Sequence, residues 1–175
     1  MTGLYFIAGR LPAAPVLFGL SLAVLLGAYG FEILGGLAPC QLCYYQRAPY
    51  FLAIALSALA WVRPAWGAPL YGLLMLTFLT GAGLGVYHAG VEWKFWPGPA
   101  SCSALGSSDI PLEQLMAQIL AAPVVRCDEI PWSLFGLSLA GYNVLISLGG
   151  LALSAYAFGQ AAEQHKFRER NHGGV

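Results

Sequence analysis

PCQLCYYQRAPYFLAIALSALAWV, residues 39–62, places two cysteines and an arginine at the head of an otherwise apolar run. The run is long enough to cross a bilayer, which takes about 20 residues as a helix. On a helix, positions i, i+3 and i+7 share one stripe, so Cys40, Cys43 and Arg47 face one spot. A helix N-terminus and a guanidinium both favour thiolate over thiol, and thiolate is the form that attacks disulfides and donates electrons. The stripe therefore reads as redox chemistry. Tyr44 stands where a haem attachment motif needs histidine. Zinc would want a second close cysteine pair, whereas Cys102 and Cys127 lie far apart, so no metal is expected. A purely structural disulfide is the remaining rival.

Working outward, 58% of the 175 residues are hydrophobic and 9% are charged. A soluble domain carries about 25% charged residues, so the chain reads as an integral membrane protein. Its formal net charge of zero gives no reason to propose nucleic acid as a partner. Four stretches are candidate spans: 12–31, 42–62, 70–89 and 132–158. The first also resembles a signal-peptide core, but its length favours retention. Arg47 sits near the end of the second span, where a charge can snorkel or serve a function. Loops at 32–41 and 90–131 and a polar tail at 160–175 connect or follow the spans.

Arg10, Arg63, Lys166, Arg168 and Arg170 fall on one side, against Arg47, Lys94 and Arg126 on the other. The positive-inside rule then makes both termini cytoplasmic and puts all four cysteines across the membrane. In the long loop, Trp93, Phe95 and Trp96 suggest an interfacial belt. Leu112, Leu115, Met116, Ile119 and Leu120 recur at helical spacing, predicting a short amphipathic helix in the headgroup plane. Cys102 and Cys127 flank it. Four cysteines allow three pairings, and spacing does not choose among them. An anchored helical pair and a pair on a mobile loop nevertheless suit a two-pair thiol–disulfide relay. His88 and Glu92, at i and i+4, close the third span, and His88 is a candidate for holding a proton near neutral pH.

Pro39-Cys40-x-x-Cys43 with Tyr45-Gln46-Arg47, Trp96-Pro97-Gly98-Pro99 before Cys102, and Trp132 with Gly136 before the last span together resemble the DsbB family of bacterial inner-membrane disulfide-bond formation proteins. The resemblance covers nearly the whole chain. It implies an all-α, antiparallel four-helix transmembrane bundle and a quinone-dependent thiol oxidase, with ubiquinone or menaquinone as acceptor. A periplasmic thioredoxin-fold protein, DsbA-like, is the implied partner, attacking a loop disulfide at Cys102 and releasing Cys127 to exchange with Cys40. Cys43 is then the implied electron donor, Arg47 the holder of the quinone oxygen, and His88 a neighbour of the quinone. Two other readings stay open. One is a quinone reductase of the vitamin K epoxide reductase kind, which commonly works with a thioredoxin-like domain for which these residues leave no room. The other is a membrane scaffold whose disulfides only brace a loop.

Overall fold

The computed structural model describes residues 12–99 and 125–172. Among these residues the chain forms four long helices: α1 (Ala13–Ile33), α2 (Gln41–Val62), α3 (Gly67–Glu92) and α4 (Leu139–His172). Two short strands, β1 (Ser133–Leu134) and β2 (Leu137–Ser138), precede α4. Helices are the answer that apolar runs demand, because in hydrocarbon every backbone N–H and C=O must be satisfied within its own segment. Among the described residues, Ala13–Ile33, Pro64–Glu92 and Leu139–Phe167 are long and apolar enough to cross a membrane, which makes this a helical membrane protein. α2, at 22 residues, is about as long as the first of these, but Gln41, Gln46 and Arg47 occupy its first two turns and dilute its hydropathy. The expectation of four spans is thus met for three.

Neighbouring helices run antiparallel, as their contacts record. The beginning of α3 meets the end of α4 where Gly67 faces Ala161, and contacts at Gly72 with Phe158 and Gly81 with Ser147 descend in order to Gly85 against Val144. The same reversal pairs α2 with α3, from Tyr50 beside Phe78 to Gln46 beside His88. Phe18 beside Trp61 and Glu32 beside Arg47 pair α1 with α2. Small residues let the α3 and α4 backbones approach, since van der Waals contact replaces the hydrophobic drive between helices in lipid. A buried core of Leu17, Leu25, Tyr50, Ala53, Leu74 and Phe78 fills the middle. Three helices are tied there by polar bonds: Tyr50 Oη donates to Asn143 Oδ1 at 2.6 Å, and Asn143 Nδ2 donates to the Gly81 carbonyl at 3.1 Å.

Two boundaries differ from the sequence reading. The last span was expected from 132, yet residues 133–138 form the β1–β2 hairpin, with Ser133 opposite Ser138 and Leu134 opposite Leu137. Phe135 and Gly136 make its two-residue turn with φ of 50° and 79°. Positive φ at both positions is the turn whose twist matches a hairpin, and Gly136 adopts it without steric cost. The polar tail, expected from 160, instead continues α4 to His172. The proposed amphipathic helix and Cys102 lie outside the described residues.

Candidate active site

The end of α1, the start of α2, the end of α3 and the hairpin converge at one end of the bundle. Cys40 is the N-cap of α2, extended at φ −76° and ψ 171°, and its sulfur accepts the Cys43 backbone N–H at 3.3 Å. The Cys40 and Cys43 Sγ atoms lie 3.0 Å apart as free thiols. Cys40 is buried, while Cys43 is half-buried. Cys40 lies just outside the helix, and its thiol is pulled down to about 4 by the hydrogen bond from Cys43. Burial opposes that pull, and His88 adds to it.

His88 comes from α3 and places Nε2 at 3.6 Å from Cys40 Sγ. Its Nδ1 is fixed by the Gln46 amide at 2.6 Å, so the ring cannot swing away without breaking that bond. Glu92, one turn on, reaches 3.9 Å from His88 Nε2 with Oε1. Its other oxygen accepts a short hydrogen bond from Ser138 Oγ of the hairpin. The i, i+4 pair read from the sequence is therefore spread between a sulfur and a serine rather than closed on itself. His88, Glu92, Gln46 and Ser138 are all buried.

Arg47 is also buried, and Nη1 donates to Glu32 Oε2 at 2.6 Å. Its Cζ lies 4.6 Å from the Tyr29 ring centre and 5.1 Å from that of Tyr44. A guanidinium inside a helix bundle gains from a carboxylate and from aromatic faces. Glu32 and Ser138 do not stand out in the sequence, and Gln46 enters there only as part of the Tyr45-Gln46-Arg47 motif, with no site role. For Glu32 a signal existed: a carboxylate ending an apolar span beside an intramembrane arginine needs a countercharge.

Cys127 is disulfide-bonded and only 1% exposed. It packs in one buried cluster with Cys40, Leu42 and Val91. The expected mobile loop is, at this point, pinned. Arg126 donates to both carboxylate oxygens of Asp128 at 2.9 and 2.8 Å, and Lys94 from the end of α3 donates to Asp128 Oδ2 at 2.6 Å. These bonds, from Arg126 first and then Lys94, hold the Asp128 carboxyl well below the usual carboxylate range.

A cavity of about 710 Å³ opens beside the thiols, lined by Cys40, Cys43, Arg47, His88 and Glu92 and otherwise mainly by apolar side chains such as Val24 and Ile146. That size and balance suit a small apolar ligand with a few polar handles. Of the sequence-predicted site residues, the structure gathers Cys40, Cys43, Arg47 and His88 around this cavity and puts Cys127 in the same buried cluster as Cys40. His88 arrives from a facing helix to within reach of both sulfurs, a third metal ligand that cysteine spacing alone does not reveal.

Residues 10–157 match the profile of the family described as disulfide bond formation protein DsbB. Relatives named disulfide bond formation protein B include one from Alkalilimnicola ehrlichii, 30% identical over 80% of this chain and 89% of its own. Another, from Marinobacter nauticus, is 32% identical over 76% and 88%. A third, from Pasteurella multocida, is 29% identical over 77% and 78%. No solved structure matches the chain.

Proposed function

Because this chain belongs to the DsbB family of disulfide bond formation proteins, we propose that it reoxidises the dithiol of a DsbA-like periplasmic thioredoxin-fold protein and delivers the two electrons to a membrane quinone. The family supports a disulfide-forming oxidoreductase. The finer reading rests on one observation: a free thiol pair, one sulfur against a fixed histidine, opening on an apolar cavity that a buried arginine also lines.

In this reading Cys127 is joined to Cys102, and a thiolate of the partner attacks that disulfide to form a mixed disulfide. The partner's second thiolate resolves it, leaving the partner oxidised and two thiols on this chain. Those thiols then exchange with a Cys40–Cys43 disulfide, which becomes the dithiol. Cys127 already shares a buried cluster with Cys40, so little travel separates these two residues. Closing Cys40 and Cys43 to a disulfide again releases two electrons and two protons. His88 Nε2, at 3.6 Å from Cys40 Sγ, favours the thiolate at that sulfur, so the Cys40 proton is given up before the electrons leave, and Glu92 lies beside the same ring nitrogen.

A quinone, when bound, supplies an acceptor for two electrons and two protons. The cavity fits such a group by its apolar walls, and Arg47, four residues from Cys43 on one helix face, is the donor for a quinone oxygen. A DsbA-type partner is a strong oxidant near about −120 mV, so an ordinary disulfide reoxidises it poorly and a more oxidising acceptor is needed. Ubiquinone and menaquinone both meet the chemistry. We read all four long helices as spans in the bacterial inner membrane, with both termini cytoplasmic. The test is anaerobic turnover: purified protein should oxidise a reduced thioredoxin-fold dithiol protein only when quinone is added, and Cys43→Ser should abolish it. Equal oxidation with and without quinone would refute the acceptor, and none in either case would refute the oxidase.

A further inference from the structure

We propose that the reduced Cys40–Cys43 pair, completed by His88, is a binding site for one thiophilic divalent cation of the Zn²⁺ class, and that the disulfide form has no such site. Two sulfurs and one imidazole nitrogen lie within 4.8 Å of one another. Two thiolates and a histidine leaving a fourth position open is a known zinc donor set of the catalytic, open-site kind.

The geometry is close to what the ion requires. With Zn–S about 2.3 Å and Zn–N about 2.0 Å, tetrahedral coordination sets sulfur and nitrogen about 3.5 Å apart and the sulfurs about 3.8 Å apart. Cys40 Sγ and His88 Nε2 are 3.6 Å apart already. The sulfurs, at 3.0 Å, need to part. Cys43 is half-buried and has the room, whereas Cys40 and His88 are held by packing.

Ligating histidines are oriented by a partner on the other ring nitrogen. The Gln46 amide, 2.6 Å from Nδ1, is that partner. Turned over, its oxygen accepts Nδ1–H and leaves Nε2 with a lone pair directed at the sulfurs. The open fourth position faces the cavity, which also gives the ion its way in. Binding replaces the remaining S–H proton with the metal and releases it to solvent, with no change in sulfur oxidation state. Forming the disulfide removes both ligands, so the cation and the relay compete for one pair of sulfurs. Occupancy by the cation would hold the pair reduced.

The test uses Co²⁺ as an optical probe on full-length protein in detergent, reduced and anaerobic, in a Cys102→Ser/Cys127→Ser background so that only one pair can respond. One Co²⁺ per chain should give near-ultraviolet thiolate-to-cobalt charge transfer and the visible bands of a tetrahedral site, both bleached by Zn²⁺. Disulfide-form protein should give neither. His88→Ala should weaken binding by about 100-fold, and Gln46→Ala by about 10-fold, in keeping with the loss of a ligand and of its orienting partner. Circular dichroism establishes that the variants fold, and if His88→Ala does not, Gln46→Ala carries the comparison. The proposal is overturned if reduced protein shows no charge transfer, or if the folded variants bind Co²⁺ as tightly as their parent. Neither quinone nor a protein partner enters the assay, so this outcome is separate from the fate of the oxidase reading.

Discussion

Arg47 carries a charge into the bundle and is answered there by Glu32 and two aromatic faces. A hydrogen bond from a charged donor contributes about 1.5–3 kcal/mol. If the guanidinium also holds the acceptor's oxygen, Arg47→Ala should raise the apparent quinone KM by about 10- to 100-fold, while single-turnover exchange between Cys127 and Cys40 continues. Steady-state kinetics over a quinone series measures this. An unchanged KM would reduce Arg47 to a tie between α1 and α2. Beside it, Cys40 makes a prediction in pH. Its thiol is depressed to about 4 from an ordinary value of 9.0, chiefly by the Cys43 hydrogen bond. A lowered acid favours the folded state fully above the ordinary thiol range, and that favour is lost as pH falls through about 4. In reduced, metal-free protein, ultraviolet thiolate absorbance should therefore persist at pH 6 and disappear in Cys40→Ser. In Cys43→Ala, which lacks the S–H donor, its midpoint should move upward. Much of this residue scale was legible: the cysteine spacing and Arg47 mark themselves, because thiols and an intramembrane charge are costly unless used. What could not be read is partnership across distance. Gln46 with His88 and Glu92 with Ser138 join residues more than 40 positions apart, and no periodicity links them.

Among the elements, α3 and α4 show how far small side chains decide packing. A methyl added at Gly85 would stand 2.8 Å from Val144 Cγ2 and 2.9 Å from Asn143 Nδ2, whereas Gly83 has nothing within 4 Å. Overpacking a tight contact costs about 1–3 kcal/mol. Replacing an unobstructed helical glycine with alanine gains about 0.8–1.0 kcal/mol. Gly85→Ala should lower the midpoint of unfolding in mixed detergent, followed by circular dichroism, and Gly83→Ala should raise it slightly. Equal effects at the two positions would mean that α3 and α4 do not meet on the Gly85 face. Glycines recur in the third span at 72, 81, 83 and 85, a pattern that suits close helix packing but does not say which face each one serves. The sequence is least informative at the hairpin. Strands of two residues are too short for alternation to register, and Phe135-Gly136 lacks the Asn-Gly pattern that announces such a turn. An apolar run extended through Trp132 was consequently read as helix.

For the whole molecule, the antiparallel order places Glu32, Cys40, His88, Cys127 and Ser138 at one end and Arg63, Gly67 and Ala161 at the other. Trp93, Phe95 and Trp96 are exposed at the thiol end, and aromatic side chains of this kind suit a membrane boundary. α4, at 34 residues, is about 51 Å long and exceeds the roughly 30 Å hydrocarbon core. Its charged end, with Lys166 and Arg170, must therefore stand in water on the far side. α2 is the element on which topology turns. If it crosses, Phe95 and Glu163 lie on opposite faces of the membrane, and Glu163 shares its face with Arg63. Were it only to dip and return, Arg63 and the start of α3 would sit beside the thiols, against the contact of Gly67 with Ala161. In a background with all four cysteines changed to serine, Phe95→Cys should react with an impermeant maleimide added outside spheroplasts. Arg63→Cys and Glu163→Cys should react only in inverted vesicles. Labelling of Arg63→Cys from outside would remove α2 from the set of spans, and reversal of all three would overturn the orientation drawn from the lysine and arginine count.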